Sequence, residues 1–474
     1  MEIDNILKAE RPNAEHEPRV AMGKDDGFTR YYKATRANGG TYFRIGSGFK
    51  KRLLQHIRFD QVEELSPIPF KQNPLDFLRD VLPTLPFVPY KHQLKTFMGL
   101  VRERHHLGIV ATGGGKSMIA YLSLRYLRGE GKKIILVVPT IGLTTQMFED
   151  FKDYNAPKEF LDEIRLIGGE NDVKKLDKPV IISTWQSLRK VMPNIKEYDA
   201  IFVDEAHQAK ADVLQEILEQ DVSQKLGLTG SMPIIKVDAM SLEQSLGKPT
   251  RYINARELMK LNLLTHTTVV SLFLNHPRNQ TRSGLKYQEE VKFIRESPSR
   301  SAFVSKFLTG LKGVTVALYA VTEHGEKTFY DLTGVKLTTK MKSDFEMMKK
   351  LGVFFMSGST KSGVREQIRQ YLNDVPNAIV IGQMAVLSTG INIPRLKNLV
   401  FLSSTKSYTL VLQSMGRVMR LHKEKGESVY VFDLVDCFTY VKDTYSLTHF
   451  WQRKEYYESE GHPVLEREVD LSKY

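Results

Sequence analysis

The sequence predicts two doubly wound α/β domains in tandem, preceded by a small basic domain that is β-rich or α+β. Three observations support this. At 474 residues the chain exceeds what one hydrophobic core usually organises. Short apolar runs alternate with helical segments twice over, in two stretches of comparable order. Ahead of both lies a stretch in which basic and aromatic residues interleave while Asp and Glu are absent.

Composition narrows the class further. Hydrophobic residues make up 41% of the chain and charged residues 26%, ordinary for a globular protein and too apolar for a disordered one. No segment approaches the roughly 18 consecutive apolar residues of a membrane span. The opening stretch MEIDNILKAERPNAEHEPRV has no apolar signal core, so a cytoplasmic location is expected. A lone cysteine, Cys437, excludes an internal disulfide and any multi-cysteine zinc site. The formal charge of +13 favours a polyanionic partner, because Lys and Arg that neutralise phosphates release condensed counterions.

Residues 1–80 read as the accessory domain and its linker. Its basic residues include Arg30, Lys33, Arg36, Arg44, Lys50, Lys51, Arg52 and Arg58, with Tyr31, Tyr32, Tyr42, Phe43 and Phe49 among them. Asn38-Gly39-Gly40 is a turn signal between RYYKATRA and TYFRIG, which predicts a β-hairpin or small sheet. Bases could stack on the aromatics while the cations follow a phosphate backbone; the plainer reading is a solvated basic face over an ordinary aromatic core. Arg30, Lys33, Arg44, Lys50, Lys51 and Arg52 are the candidate nucleic-acid contacts. The Pro-containing stretch from Ser66 to Pro89 reads as a connection.

Residues 81–265 carry the first set of strands, LGIVA, KIILVVP, PVIIS, AIFVDEAH and KLGLTGS. Residues 266–300 read as a connecting segment. Residues 301–436 carry the second set, VTVALYA, VFFMSG, NAIVIG, NLVFLSS and SVYVFDLVD, and 437–474 read as a tail.

The first strand runs into Ala111-Thr112-Gly113-Gly114-Gly115-Lys116-Ser117, followed by a helical pattern. Three glycines let a loop close around phosphate oxygens, and the helix N-terminus offers free N–H groups to the anion. In this pattern Lys116 would contact the β and γ phosphates of ATP, and Ser117 a Mg²⁺ ion. Val110 stands where the strict phosphate-loop pattern has glycine. Further on, the apolar run ending at Val203 leads into Asp204-Glu205-Ala206-His207. Two adjacent carboxylates at a strand's C-terminal end can divide the labour, Asp204 orienting water on Mg²⁺ and Glu205 polarising the attacking water.

This pair resembles motifs I and II of superfamily 2 helicases, in which the A-T-G-x-G-K-S form of the loop is common, and further motifs follow in order. Tyr90-Lys91-His92-Gln93 resembles the adenine-reading element, with Gln93 as the contact. Pro139-Thr140, Gly168-Gly169 and Ser183-Thr184-Trp185-Gln186-Ser187 resemble motif Ia, the GG element and motif Ib, which lie on the nucleic-acid backbone in that family. Thr229-Gly230-Ser231 resembles motif III and Ser357-Gly358 motif IVa. Ser388-Thr389-Gly390-Ile391-Asn392 resembles motif V, implying backbone contacts for Ser388 and Thr389 and a nucleotide contact for Gly390. Gln413-Ser414-Met415-Gly416-Arg417-Val418-Met419-Arg420 resembles motif VI. Arg417 and Arg420 are three apart, on one face of a helix. The resemblance implies a finger role for Arg420, worth about 10³ to 10⁵ in rate, a γ-phosphate contact for Arg417 and a catalytic place for Gln413. It also implies that the two α/β domains are RecA-like.

The stretches PTIGLTTQMFEDF, IGGE, STWQSL, LTGS, KYQEE, VLSTGI and VLQSMGRVMR resemble bacteriophage UvsW-type branch-migration helicases over roughly residues 87–436. That implies sequence-independent action on forked, branched or duplex DNA with 3′ to 5′ polarity, ATP and Mg²⁺ as cofactors, and phage recombination or replication proteins as partners. A monomer is expected. Residues 1–80 show no such match, and Thr333 to Lys349 lengthens one segment, its centre GVKLTTKMK reading either as a DNA-contacting element or as a neutral insertion. An RNA helicase, the motor subunit of a restriction system and an ATP-gated junction clamp are the competing readings.

Overall fold

The computed structural model describes residues 2–11, 14, 17, 20, 22, 25–37, 40–45, 47–49, 52, 53, 55, 70–168, 176–208, 211–233, 235–277, 285–387, 393, 395–405, 407, 411, 414–416, 418, 419, 421, 428–438 and 444–474. The chain divides into two compact units, Met1–Asn254 and Ala255–Tyr474. Among the described residues no helix is long and apolar enough to cross a membrane.

The first unit is built on a seven-stranded, wholly parallel sheet. Its strands lie in the order Pro249–Ile253, His105–Val110, Gln224–Thr229, Ala200–Val203, Ile134–Val138, Val180–Thr184 and Ile164–Ile167. Ile134–Val138, Val180–Thr184 and Ala200–Val203 are buried along their whole length. Such strands must be apolar on both faces, which is why the sequence shows them as unbroken runs. In a parallel sheet every strand delivers its outgoing loop to the same edge, where doubly wound folds bind their ligands. The order sets the ends of His105–Val110, Gln224–Thr229 and Ala200–Val203 side by side.

The stretch from Phe70 is part of this unit rather than a bare connection. Asn73 caps the helix Pro74–Val81 by accepting from Leu75 N–H, and the buried Phe77, Leu78 and Val81 form its inner face. Phe77 stacks on Phe97 at 5.7 Å and meets Tyr126 edge-on at 5.3 Å. Glu130 accepts from the backbone N–H of both Lys71 and Gln72.

Two antiparallel pairs form the accessory region, Lys8–Glu10 with Phe28–Arg30 and Tyr32–Ala37 with Gly40–Ile45. In the second pair Ala37 faces Gly40; Asn38 and Gly39 of the expected turn lie outside the described residues. The region packs on the helix Lys236–Leu246, with Leu7, Ala9, Tyr31, Phe49, Leu53 and Met240 in one buried cluster.

The second unit is again a seven-stranded parallel sheet, in the order Val353–Met356, Ala378–Gln383, Val314–Tyr319, Leu396–Phe401, Ser428–Cys437, His266–Asn275 and Val464–Asp470. Its last two strands come from stretches the sequence reads as a connecting segment and a tail. His266–Asn275 pairs along all ten of its residues with Ser428–Cys437, and Val464–Asp470 adds to its other side. The outermost strand, VLEREVD, is exposed along most of its length, so it shows no apolar run.

Candidate active site

The phosphate loop leaves the strand His105–Val110 and enters the 14-residue helix Lys116–Gly129. Gly115 caps that helix in the left-handed region, at φ +79, and a Cβ there would meet Gln93 Nε2 at 2.0 Å. Only glycine satisfies both demands. The loop is braced from the expected adenine element. His92 Nε2 donates to the Gly114 carbonyl at 2.8 Å and Gln93 Nε2 to the same oxygen at 3.2 Å, while Gln93 Oε1 accepts from Tyr90 N–H at 2.8 Å. Gln93 therefore ties the start of its own helix to the loop, and Tyr90, half exposed, stacks on His92 at 5.9 Å. From the neighbouring strand, a Cβ on Gly230 would lie 3.2 Å from Thr112 Oγ1 and 3.7 Å from Lys116 Nζ, so motif III backs directly onto the loop.

Asp204 and Glu205 follow the strand Ala200–Val203. Lys116 Nζ pairs with Glu205 Oε1 at 3.0 Å, both side chains largely buried. Glu205 has φ +50, a conformation that costs a non-glycine residue about 1 kcal/mol or more and that recurs at functional sites. Asp204 Oδ1 helps fix this turn by accepting from Glu205 N–H at 2.9 Å. The two carboxyls titrate apart. Burial, and then the charge of Glu205, raises Asp204 well above the carboxylate range against the pull of Lys116. Burial also opposes ionisation of Glu205, but Lys116 and then His207 outweigh it, and Glu205 stays below its ordinary value.

His207 joins the carboxylates to motif III. Thr229 Oγ1 donates to the Ser231 carbonyl at 2.7 Å, so it accepts from His207 Nδ1–H at 2.5 Å. Nε2 of His207 is buried and has no hydrogen-bond partner among the described residues. Ser117 is bonded to the Tyr154 hydroxyl at 2.7 Å, a contact that nothing in the local sequence announces. Burial, and then Asp150 and Asp153, push Tyr154 up to about 12, against the bond from Ser117, so its hydroxyl stays protonated.

These side chains fit ATP with Mg²⁺. Asp204 is raised by burial and then by the charge of Glu205, and a divalent ion beside it would offset both. The free N–H groups of the Lys116 helix, the loop glycines and Lys116 together form an anion site.

The expected nucleic-acid contacts are placed unevenly. Thr140 caps the helix Ile141–Asp153, and a Cβ on Gly168 would lie 3.2 Å from Ile141 Cγ1, so motif Ia and the GG element adjoin; Pro139 precedes them and Gly169 lies outside the described residues. Thr184 is buried as the cap of the helix Trp185–Arg189 and Trp185 sits in the hydrophobic core, which leaves Gln186 exposed. Ser357 is buried and Gly358 exposed; the Gly358 N–H donates to Gln383 Oε1 at 2.9 Å, and Arg365 donates to both carbonyls. Ser388, Thr389, Gly390, Gln413, Arg417 and Arg420 lie outside the described residues, although the buried Ser414, Met415, Gly416 and Val418 between them are helical. Arg30 is spent on Asp4 at 2.9 Å and Asp26 at 2.5 Å, and Arg52 on the buried Glu243. Lys50 and Lys51 are outside the described residues, as are the side chains of Lys33 and Arg44. The inserted segment is tethered: Met341 and Met348 are buried and Lys342 bonds Glu326 at 2.5 Å, with Lys336 and Lys340 exposed.

Comparison with known proteins agrees with this arrangement. Residues 86–234 match the family model "Type III restriction enzyme, res subunit", and residues 314–422 match "Helicase conserved C-terminal domain". The chain is 29% identical over 397 residues to the ATP-dependent DNA helicase uvsW of Enterobacteria phage T4, covering 79% of this chain and 76% of that one. It is 23% identical over 390 residues to the type I restriction enzyme EcoKI endonuclease subunit of Escherichia coli K12, covering 70% of this chain and 32% of that one. In fold, the chain resembles the fragment structure of a putative HsdR subunit of a type I restriction enzyme from Vibrio vulnificus YJ016. That likeness has a TM-score of 0.59 at 16% identity, over 83% of this chain and 71% of that one. Two parallel-sheet domains, each matched by its own family model, explain why the motifs fall in order across the sequence: the chain carries superfamily 2 helicase domains and is similar to the UvsW type.

Proposed function

We propose that this chain is a motor on DNA that unwinds or branch-migrates forks and Holliday junctions, moving 3′ to 5′ without sequence preference, in phage replication, recombination or repair. The observation that carries the motor chemistry is the Lys116–Glu205 pair, 3.0 Å apart at the sheet edge between phosphate loop and carboxylates. In this reading Thr112, Gly113, Gly114 and Gly115 cradle the phosphates, Lys116 reaches the β and γ groups and Gln93 reads adenine. Ser117 and Asp204 would hold Mg²⁺, partly through water; the ion neutralises phosphate charge. Glu205 polarises the attacking water. Arg420 supplies the finger, Arg417 a γ-phosphate contact, and Gln413 and Gly390 complete the set.

DNA as the track is supported by the likeness to a protein named as a DNA helicase over 79% of this chain. Contacts to the phosphodiester backbone through Pro139, Thr140, Gly168, Gly169, Gln186, Gly358, Ser388 and Thr389 would carry no sequence information. Arg30 and Arg52 are paired within the protein, so Lys33, Arg44, Lys50 and Lys51 are the cations this reading assigns to the DNA. A second reading, the motor of a restriction system, is favoured by the match of residues 86–234 to a res-subunit family.

ATP-dependent strand separation measured on forks, Holliday junctions, overhang duplexes and RNA hybrids tests the proposal. Forks and junctions are expected to be processed fastest. Preference for RNA hybrids would sink it, and translocation along duplex without unwinding would favour the restriction-motor reading.

A further inference from the structure

Ser117 stands second in the helix Lys116–Gly129, and its Oγ lies 2.7 Å from the hydroxyl of Tyr154. Tyr154 comes from a distant part of the chain, as the C-cap of the helix Ile141–Asp153. Its ring is held on three sides: edge-on to Phe87 at 5.7 Å, tilted against Tyr121 at 5.5 Å, and closed by its own helix end, where its N–H donates to the Asp150 carbonyl. The hydroxyl is thus delivered by a packed ring rather than by a mobile chain.

A serine hydroxyl has one proton and two lone pairs. When its oxygen coordinates a divalent cation, a lone pair must point at the metal and the proton must point away, because the cation's field repels it. A hydroxyl free to rotate meets this demand in only part of its range. Either hydroxyl can donate in the Ser117–Tyr154 bond; with a cation on the far side of Ser117 the serine proton turns to the tyrosine oxygen, a fixed acceptor, and the serine lone pairs take the other side.

We propose that Tyr154 is a positioning residue for the metal half of the nucleotide site, orienting the Ser117 hydroxyl so that its lone pair faces Mg²⁺. This rests on the reading of Ser117 as a Mg²⁺ ligand given above. It makes a distinction that a role in folding alone does not. Loss of the tyrosine hydroxyl weakens nucleotide binding when Mg²⁺ is present and leaves metal-free binding unchanged. The ring contacts with Phe87 and Tyr121 survive in Tyr154→Phe, so packing is kept.

The experiment is a fluorescent-ADP binding titration on the full chain, in EDTA and over a MgCl₂ series, for wild type, Tyr154→Phe, Ser117→Ala and the double variant, with a thermal melt of each. Tyr154→Phe is expected to raise the Mg²⁺ concentration giving half-maximal enhancement by about three- to tenfold, the weight of one hydrogen bond, with no change in EDTA. In the Ser117→Ala background the same substitution is expected to do nothing further. If Ser117→Ala shifts the Mg²⁺ dependence and Tyr154→Phe does not, the inference fails while the site reading stands. If Ser117→Ala itself leaves the Mg²⁺ dependence unmoved, both fail. An equal loss in EDTA and in Mg²⁺ would make Tyr154 merely structural and overturn the inference.

Discussion

The Lys116–Glu205 pair sets the behaviour of the site at the scale of single residues. Lys116 is held by a carboxylate at 3.0 Å; in the proposed roles that carboxylate polarises water and the lysine takes phosphate, so the two groups would have to separate. Replacing Glu205 with Gln removes the base but also releases Lys116. Hydrolysis is therefore expected to fall by about 10²-fold or more, while ATP affinity holds or rises, as measured by single-turnover hydrolysis beside equilibrium binding. Hydrolysis at the wild-type rate would remove Glu205 from its assigned role. Much of this was legible in the sequence, because Gly-Gly-Gly-Lys-Ser and Asp-Glu-Ala-His carry their chemistry within a few consecutive residues. What was not legible is what braces them. The His92 bond to Gly114, the Tyr154 bond to Ser117 and the Thr229 bond to His207 each join residues 22 to 37 positions apart, and no spacing rule connects them.

At the scale of elements, the basic stretch before the first α/β domain divides into groups with different work. Tyr31 donates to the Val237 carbonyl at 2.6 Å, Arg52 Nε donates to Glu243 Oε1 at 3.0 Å, and a Cβ on Gly48 would fall 1.8 Å from the Glu243 carbonyl. These contacts dock the accessory region on the helix that follows motif III. The sequence shows Arg30 and Arg52 as two more cations in a run; only the fold reveals the carboxylates of Asp4, Asp26 and Glu243 that claim them. Each phosphate contact contributes about 0.9 to the slope of log K against log salt. Arg30→Gln is accordingly expected to leave the salt slope of fork binding unchanged, whereas Lys33→Gln or Lys51→Gln lowers it by about 0.9. Arg52→Ala should instead cost about 2 kcal/mol of stability, because it strands a buried carboxylate. A salt slope that drops with Arg30→Gln would return that residue to the DNA surface. The same contrast governs strands: interior ones buried on both faces are legible as apolar runs, while the edge strands Pro249–Ile253 and Val464–Asp470 are half exposed and read as ordinary polar chain.

Over the whole molecule, two units of similar sheet design both carry buried titratable groups. In the second, Arg300 is buried between Asp436 at 2.7 Å, the Leu402 carbonyl at 2.7 Å and His324 at 3.2 Å, and Arg453 bonds Asp433 through two nitrogens at 2.8 Å. Sequence alone does not separate such charges from solvated ones, since both are single polar residues in mixed segments. Two histidines there, His324 and His462, are held neutral. Burial, and then Arg300, lower His324 from its ordinary 6.5 to about 3, and burial lowers His462 to about 4. The first unit has His105, brought to about 4 by burial and then by Lys225 and Arg104, and His207, lowered by burial. In each case the folded value lies below the unfolded one, so the unfolded chain takes up protons that the folded chain refuses. Stability is then fully present above about pH 6.5 and is lost as pH falls toward the folded values, at up to about 1.4 kcal/mol per pH unit for each histidine. Each unit, with two such groups, should lose stability between pH 6.5 and 4.5. Hydrogen exchange followed across a pH series, resolved for residues 1–254 and 255–474, measures this directly. His462→Gln should flatten the slope of the second unit by about one proton, since neither ring nitrogen of His462 has a hydrogen-bond partner among the described residues and the substitution forfeits no bond. An acid slope of the second unit unmoved by His462→Gln would show that these histidines do not govern how the protein responds to acid.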